Sequence, residues 1–93
     1  MPLTRGKIVG YDANLMTFEF TMVKADATSV VCQVSSAAMD ELAGKKGTRP
    51  AEREAQFMRL RVEIERIASN NFDDDSVVQS PVVQIFAKHI RNQ

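Results

Sequence analysis

The chain has 93 residues, 44% of them hydrophobic and 26% charged, and its 12 basic residues balance 12 acidic residues. This length predicts one domain over residues 1–93, and the balanced charge lacks the basic excess of a dedicated nucleic-acid binder. One cysteine excludes an internal disulfide, and one cysteine with one histidine leaves no zinc cluster.

The first third of the chain predicts a hairpin. Residues 16–23 and 29–34 alternate apolar and polar side chains, as half-buried strands do, and the polar segment KADAT joins them. Before them, GKIVGYD is either a short strand or an extended arm, because its two glycines weaken a strand. We expect antiparallel pairing that places two apolar sets on the same face: Phe18, Phe20 and Met22, and Val30, Cys32 and Val34.

Two helices follow. The first is short, with Ser35 as its N-cap and Gly44 at its end, and it turns Met39 inward. A basic loop leads to a long helix over residues 51–71, where Thr48 is placed to cap and Pro50 is tolerated in the first turn. Its apolar side chains recur every three or four residues, which indicates one buried face: Phe57, Leu60, Ile64, Ile67 and Ala68.

The last quarter predicts two further strands. The segment FDDD forms a turn, and residues 76–79 and 82–90 look like strands that Pro81 interrupts. The run from Val82 is alternatively part helix. The resulting order is β-β-α-α-β-β, which indicates an α+β fold: a small antiparallel sheet of about four strands, packed on one face by a short and a long helix.

Two motifs resemble a known family. CQVSSAAM resembles C-x-[IV]-S-x-x-A-[LM], and FMRLRVEIERIA resembles F-x-x-x-R-x-x-I-E-x-I-A, the signatures of a bacterial family called domain of unknown function 1488. The resemblance spans Met16 to Ile90, although Ala37 stands where the family often has an acidic residue. It implies a small bacterial α+β domain and brings no activity. The matching positions are Cys32, Ser35, Met39, Phe57, Arg61, Ile64 and Glu65.

Catalytic chemistry finds little support in the residues. Cys32 lies just before a helix start, where a thiol can be activated, yet it shares the apolar strand face of Val30 and Val34, which favours a buried structural thiol. His89 has no catalytic partner in the pattern, and NNFDDDS lacks the ligand spacing of a calcium loop. We therefore expect no enzyme, no cofactor and no metal site.

The loop GKKGTRP is basic but is not a phosphate-binding loop, which needs Gly-Lys-Ser/Thr after a longer spacing. It is either a plain mobile loop or an anion-binding patch made of Lys45, Lys46, Arg49 and Arg53. The second interpretation gives weak nucleic-acid binding, or a role associated with transcription, as an alternative function.

The long helix carries a second, weaker apolar strip, made of Ala51, Ala55, Met58 and Val62. Arg61 lies beside it between two carboxylates. This strip either packs against the short helix or faces a second subunit, with Arg61 ordering the contact. The candidate interaction residues are Glu54, Met58, Arg61, Val62 and Glu65.

The function that we expect is a small interaction or regulatory domain that works through a protein partner or as a homodimer. The partner's identity is not specified by the sequence. The first ten residues lack the apolar segment of a signal peptide, and no stretch reaches ~18 apolar residues, so we expect a cytoplasmic protein without a membrane span.

Overall fold

The computed structural model describes residues 3–44, 46–72 and 82–91, with the backbone alone at 89 and 91. Within these ranges, four strands form one sheet in the order β1-β2-β3-β4, and the helices pack on one of its faces. A short 3₁₀ turn, Pro50–Glu52, precedes the longest helix. The elements are β1 (Leu3–Asp12), β2 (Thr17–Lys24), β3 (Ser29–Ser35), α1 (Ser36–Ala43), α2 (Arg53–Asn71), β4 (Val82–Ile85) and α3 (Ala87–Arg91).

The predicted antiparallel hairpin is confirmed. Strands β2 and β3 are antiparallel, and both apolar sets lie buried on the inner face of the sheet. The amide of Ala27 donates to the carbonyl of Lys24 at 2.9 Å and closes the connecting turn. The facing pairs are Phe18 with Val34, Phe20 with Cys32, and Met22 with Val30.

Strand β1 is a full edge strand and not an extended arm. It runs antiparallel to β2, with register shifts on both sides of Ile8. A side chain at Gly6 would bring its Cβ within 2.5 Å of the carbonyl oxygen of Thr21, so only glycine lets the two backbones approach this closely. The glycine that weakens the strand in the sequence pattern is therefore required for its pairing.

The end of the chain differs from the prediction, although the α+β class is confirmed. Strand β4 is parallel to β3, so the sheet is mixed, because a crossover through α1 and α2 returns the chain in the same direction. The order is thus β-β-β-α-α-β, and the run from Val82 is a strand followed by the helix α3. The predicted turn at 73–75, the predicted strand at 76–79 and Pro81 lie outside the described residues.

The core lies between the inner face of the sheet and the helices. Phe57 stacks on Phe18 with 4.4 Å between ring centroids and lies 5.0 Å from Phe20. The predicted apolar face of α2 is confirmed, with Leu60 partly buried and the others fully buried. Burying each large side chain contributes roughly 1.5–3 kcal/mol.

The predicted ends of α1 are also present, whereas the start of α2 differs. The amide of Ala38 donates to Ser35 Oγ at 3.0 Å, and Gly44 ends α1 in a left-handed conformation at φ 66°. Thr48 does not cap α2, because the 3₁₀ turn intervenes; its Oγ1 instead accepts a hydrogen bond from Gln56 Nε2 at 3.4 Å.

Candidate protein-interaction site

Helix α2 has an apolar strip on its outer side. The α2 strip consists of Ala51 in the preceding turn and of Ala55, Met58 and Val62, and all four are exposed. Met58 keeps 49% of its surface exposed and Val62 71%. The interpretation in which this strip packs against α1 is wrong, because α1 contacts a different side of α2, through Arg53 and Gln56.

Glu65 anchors α2 to the edge strand. Its carboxylate accepts hydrogen bonds from Arg5 Nε at 2.9 Å and Arg5 Nη2 at 2.8 Å, and from Arg61 Nε at 3.1 Å. The Glu65 side chain is only 8% exposed, whereas Arg5 is 52% exposed. Glu65 is therefore buried and not part of the exposed surface predicted for it, since two guanidinium groups hold it against β1.

Arg61 lies at the boundary between the core and the α2 strip. Besides Glu65, it donates from Nη2 to the carbonyl oxygen of Gly6 at 3.4 Å, and its guanidinium carbon lies 5.9 Å from the centroid of the Phe57 ring. Of the two carboxylates expected to flank it, Glu65 is the one bound, while Glu54 is exposed. Arg61 thus holds the edge of the α2 strip against β1 and the core.

A second buried network joins α1 to α2. Arg53 Nη1 donates to Asp40 Oδ1 at 2.7 Å and to Gln56 Oε1 at 2.7 Å, and its guanidinium lies 5.8 Å from the Tyr11 ring centroid. Partial burial acts to raise the pKa of Asp40, but hydrogen bonds from Arg53, Gln56 and Thr48 more than offset it and hold the pKa below its ordinary value.

This network removes Arg53 from the predicted anion-binding patch, because its side chain is buried and paired. Arg49 is exposed and donates to Glu52 at 2.9 Å, and Lys46 is exposed, whereas Lys45 lies outside the described residues. The basic surface is thus smaller and partly neutralised. Nucleic-acid binding through it stays a prediction that no contact in the structure favours.

Cys32 is fully buried on the inner face of the sheet. Burial raises the pKa of its thiol to about 12, and the charge of Glu65 acts in the same direction. A thiolate is the nucleophilic form, so a thiol held neutral here is inert toward external substrates. The interpretation as a structural thiol accounts for this position.

The open face of the sheet carries a row of polar side chains beside the exposed Val82. Gln84 Nε2 donates to Gln33 Oε1 at 3.4 Å, and Gln33 Nε2 donates to Glu19 Oε1 at 3.1 Å, which gives a chain of side chains across three strands. A shallow open depression of about 320 Å³ lies beside Glu19 and is lined also by residues 9–13. Among the residues that the structure describes, no group of three or more ligands is placed to hold a metal ion.

A family model for a protein of unknown function, DUF1488, matches residues 7–86. The chain belongs to the DUF1488 family. Among solved structures, a DUF1488 protein from Shewanella loihica PV-4 is similar with a TM-score of 0.71 and 16% sequence identity. The match covers 90% of this chain and 91% of that one, and at this identity it shows a shared fold. No curated protein matches the chain.

The residues that carry the DUF1488 resemblance are mostly structural here. Cys32, Met39, Phe57 and Ile64 are buried in one core, and Ser35 caps α1. Glu65 is a buried ion-pair partner. None of the helices in the described segments is both long and apolar enough for a membrane span.

Sequence reasoning missed Arg5, Asp40 and Gln56, which complete the two buried networks of this DUF1488 chain. Arg5 lies 60 residues from Glu65, and Asp40 lies 13 residues from Arg53. The position of Arg53 in line with the apolar face of α2 is the signal that could have found Asp40 and Gln56, because a buried arginine requires an acidic partner; Arg53 was instead predicted to belong to the anion-binding patch.

Proposed function

We propose that this protein is a non-enzymatic protein–protein interaction domain of the bacterial cytoplasm, and that the α2 strip is its docking surface. The observation that carries the proposal is the exposure of Met58 and Val62 side by side on one helix face. Adjacent exposed apolar side chains rimmed by charges are typical of interaction sites, whereas single exposed apolar residues are ordinary.

The ion pairs that hold α2 against the sheet favour the same function. Glu65, held by Arg5 and Arg61, fixes the orientation of α2 relative to the sheet. A docking surface on a rigid element loses little conformational entropy on binding. The inert state of Cys32 also favours binding over catalysis, because it withdraws the chain's one thiol from nucleophilic chemistry.

The test is affinity capture with three baits from an extract of the organism that encodes the chain: the wild type, Val62→Glu and Leu15→Glu. Leu15 is a matched control, since it is 63% exposed but lies in the β1–β2 turn and not on α2. We expect a protein that the wild type and Leu15→Glu retain at equal levels and that Val62→Glu loses, measured by quantitative mass spectrometry. Equal retention by all three baits contradicts the proposal.

A further inference from the structure

The α2 strip has an internal symmetry that identifies its occupant. Its members are spaced by four, three and four residues, with small side chains at Ala51 and Ala55 and large ones at Met58 and Val62. Because this spacing reads the same in both directions, two antiparallel copies of residues 51–62, which are the end of the 3₁₀ turn and the start of α2, place Ala51 level with Val62 of the second copy, and Ala55 level with Met58. Each level then pairs a small side chain with a large one, as close helix packing requires.

The charges beside the strip obey the same symmetry. Glu52 and Arg59 lie along one side of it, and Glu54 and Arg61 along the other. In the antiparallel pair, Arg59 lies only two residue steps, ~3 Å along the axis, from the level of Glu52 of the second copy. Glu54 and Arg61 of the second copy have the same separation, but the Arg61 side chain is only 14% exposed and is bound to Glu65, so the side with Glu52 and Arg59 carries the charge complementarity.

A parallel pair of helices lacks this match. It sets Ala51 against Ala51, which leaves a gap between the helices, and Val62 against Val62, which crowds them. It also brings Glu52 close to Glu54 of the second copy, and Arg59 close to Arg61, so like charges meet on both sides. The arrangement of residues thus favours one direction only.

The four side chains of the α2 strip are left exposed by the described part of the chain. Strand β1 lies along a neighbouring side of α2, from Arg61, which donates to the carbonyl oxygen of Gly6 at 3.4 Å, to Ser69, whose Oγ accepts from the amide of Leu3 at 3.1 Å. The strip itself is ~16 Å long at 1.5 Å per residue. In the antiparallel pair, Arg53, the first residue of α2, lies level with Leu60 of the second copy.

We infer that the protein forms a homodimer in which two copies of α2 pack antiparallel through the α2 strip. This inference rests on the proposed function and names the partner of the same surface. Two helices in contact over this length bury less than the ~1,600 Å² of a standard interface. The dimer is therefore expected to be weak and to exchange rapidly, and its population depends on protein concentration.

Sedimentation analysis up to roughly 1 mM protein tests the inference. We expect the wild type to dimerise, and Val62→Glu to weaken the dimer at least about tenfold. Arg59→Glu and Glu52→Arg should each weaken it roughly tenfold, because each sets like charges opposite each other. Both positions are exposed, so circular dichroism should show unchanged folds.

A mixture of the two charge variants provides the decisive measurement. In an equal mixture of Arg59→Glu and Glu52→Arg, both contacts on that side of the antiparallel heterodimer join opposite charges, so association should return toward the wild-type level. A wild type that stays monomeric overturns the inference, and so does a dimer that the single variants do not weaken or that mixing does not restore. If the wild type is monomeric but still captures another protein in a way that Val62→Glu abolishes, the homodimer is excluded and the proposed function is retained.

Discussion

Cys32 lies opposite Phe20 on the inner face of the sheet, with its Sγ 3.8 Å from the carbonyl oxygen of Val30. Burial raises the pKa of the thiol to about 12, so at pH 7 to 9 the folded protein holds it protonated. At the level of single residues, the position next to a helix start has no chemical effect, because the side chain points into the core and the first turn of α1 is capped by Ser35.

Labelling of Cys32 by a thiol reagent should require unfolding. We expect native protein at pH 8 to react at least about a hundredfold more slowly than protein unfolded in urea, because native domains open only rarely. A Cys32→Ala protein that carries Leu15→Cys is the control and should react at once, since Leu15 is exposed. Equal rates in native and unfolded wild type would contradict the burial of this thiol.

At the level of elements, Asp40 and Arg53 tie α1 to α2. Asp40→Asn should destabilise the protein by about 2 kcal/mol at pH 7, because a buried guanidinium loses its charged acceptor. Urea unfolding measures the effect. Glu52→Gln, which removes the charge from an exposed pair with Arg49, is the control and should cost under ~0.5 kcal/mol.

The same pair sets a pH dependence. The pKa of Asp40 is lower in the folded protein than the ordinary value of about 3.9, so folding favours its charged form. This contribution to stability is fully present above about pH 4 and is lost as the pH falls through the lower, folded pKa. The difference between the wild type and Asp40→Asn should therefore shrink below about pH 4. A constant difference from pH 7 to pH 2.5 would show that the charge of Asp40 is not responsible.

The elements also show how far the sequence predicts the fold. The period-two alternation of β2 and β3 was enough to predict their shared inner face, and the period of α2 its buried face. Strand β1 was ambiguous because its two glycines weaken a strand pattern, and the register shifts around Ile8 are visible only in the structure. The direction of β4 depends on the crossover through α1 and α2, and the identity of the residue that pairs with Arg53 depends on how these helices pack. Neither property can be predicted from the residues next to β4 or Arg53 in the sequence.

The candidate site was predictable to a similar degree. The exposed members of the α2 strip were found from spacing alone, since helical geometry places them on one side. The elements that cover each side of α2 could not be predicted from spacing. Arg5 of β1, which binds and helps to bury Glu65, lies 60 residues from it in the sequence. On a helical wheel Glu54 and Glu65 both lie beside Arg61, whereas in the structure Glu65 binds Arg61 and Glu54 is exposed.

At the level of the whole molecule, Glu65 joins the edge strand to the helix layer through two arginines. Glu65→Gln should destabilise the protein by about 3 kcal/mol, because breaking a buried ion pair leaves uncompensated charge. Glu63→Gln is the matched control on the same helix: its pair with Arg66 is exposed, and its loss should cost under ~0.5 kcal/mol. Equal effects in chemical denaturation would mean that Glu65 has no anchoring role.

The parallel pairing of β3 with β4 has a consequence during synthesis on the ribosome. Gln33 and Gln84 lie side by side in the sheet but 51 residues apart in the chain. Contacts between such distant residues form late, so β3 has an unpaired backbone edge until residues 82–85 have emerged from the ribosome. An unpaired edge with four apolar side chains is a template for association with other nascent chains. The translation of β4 therefore closes an edge that is open to aggregation.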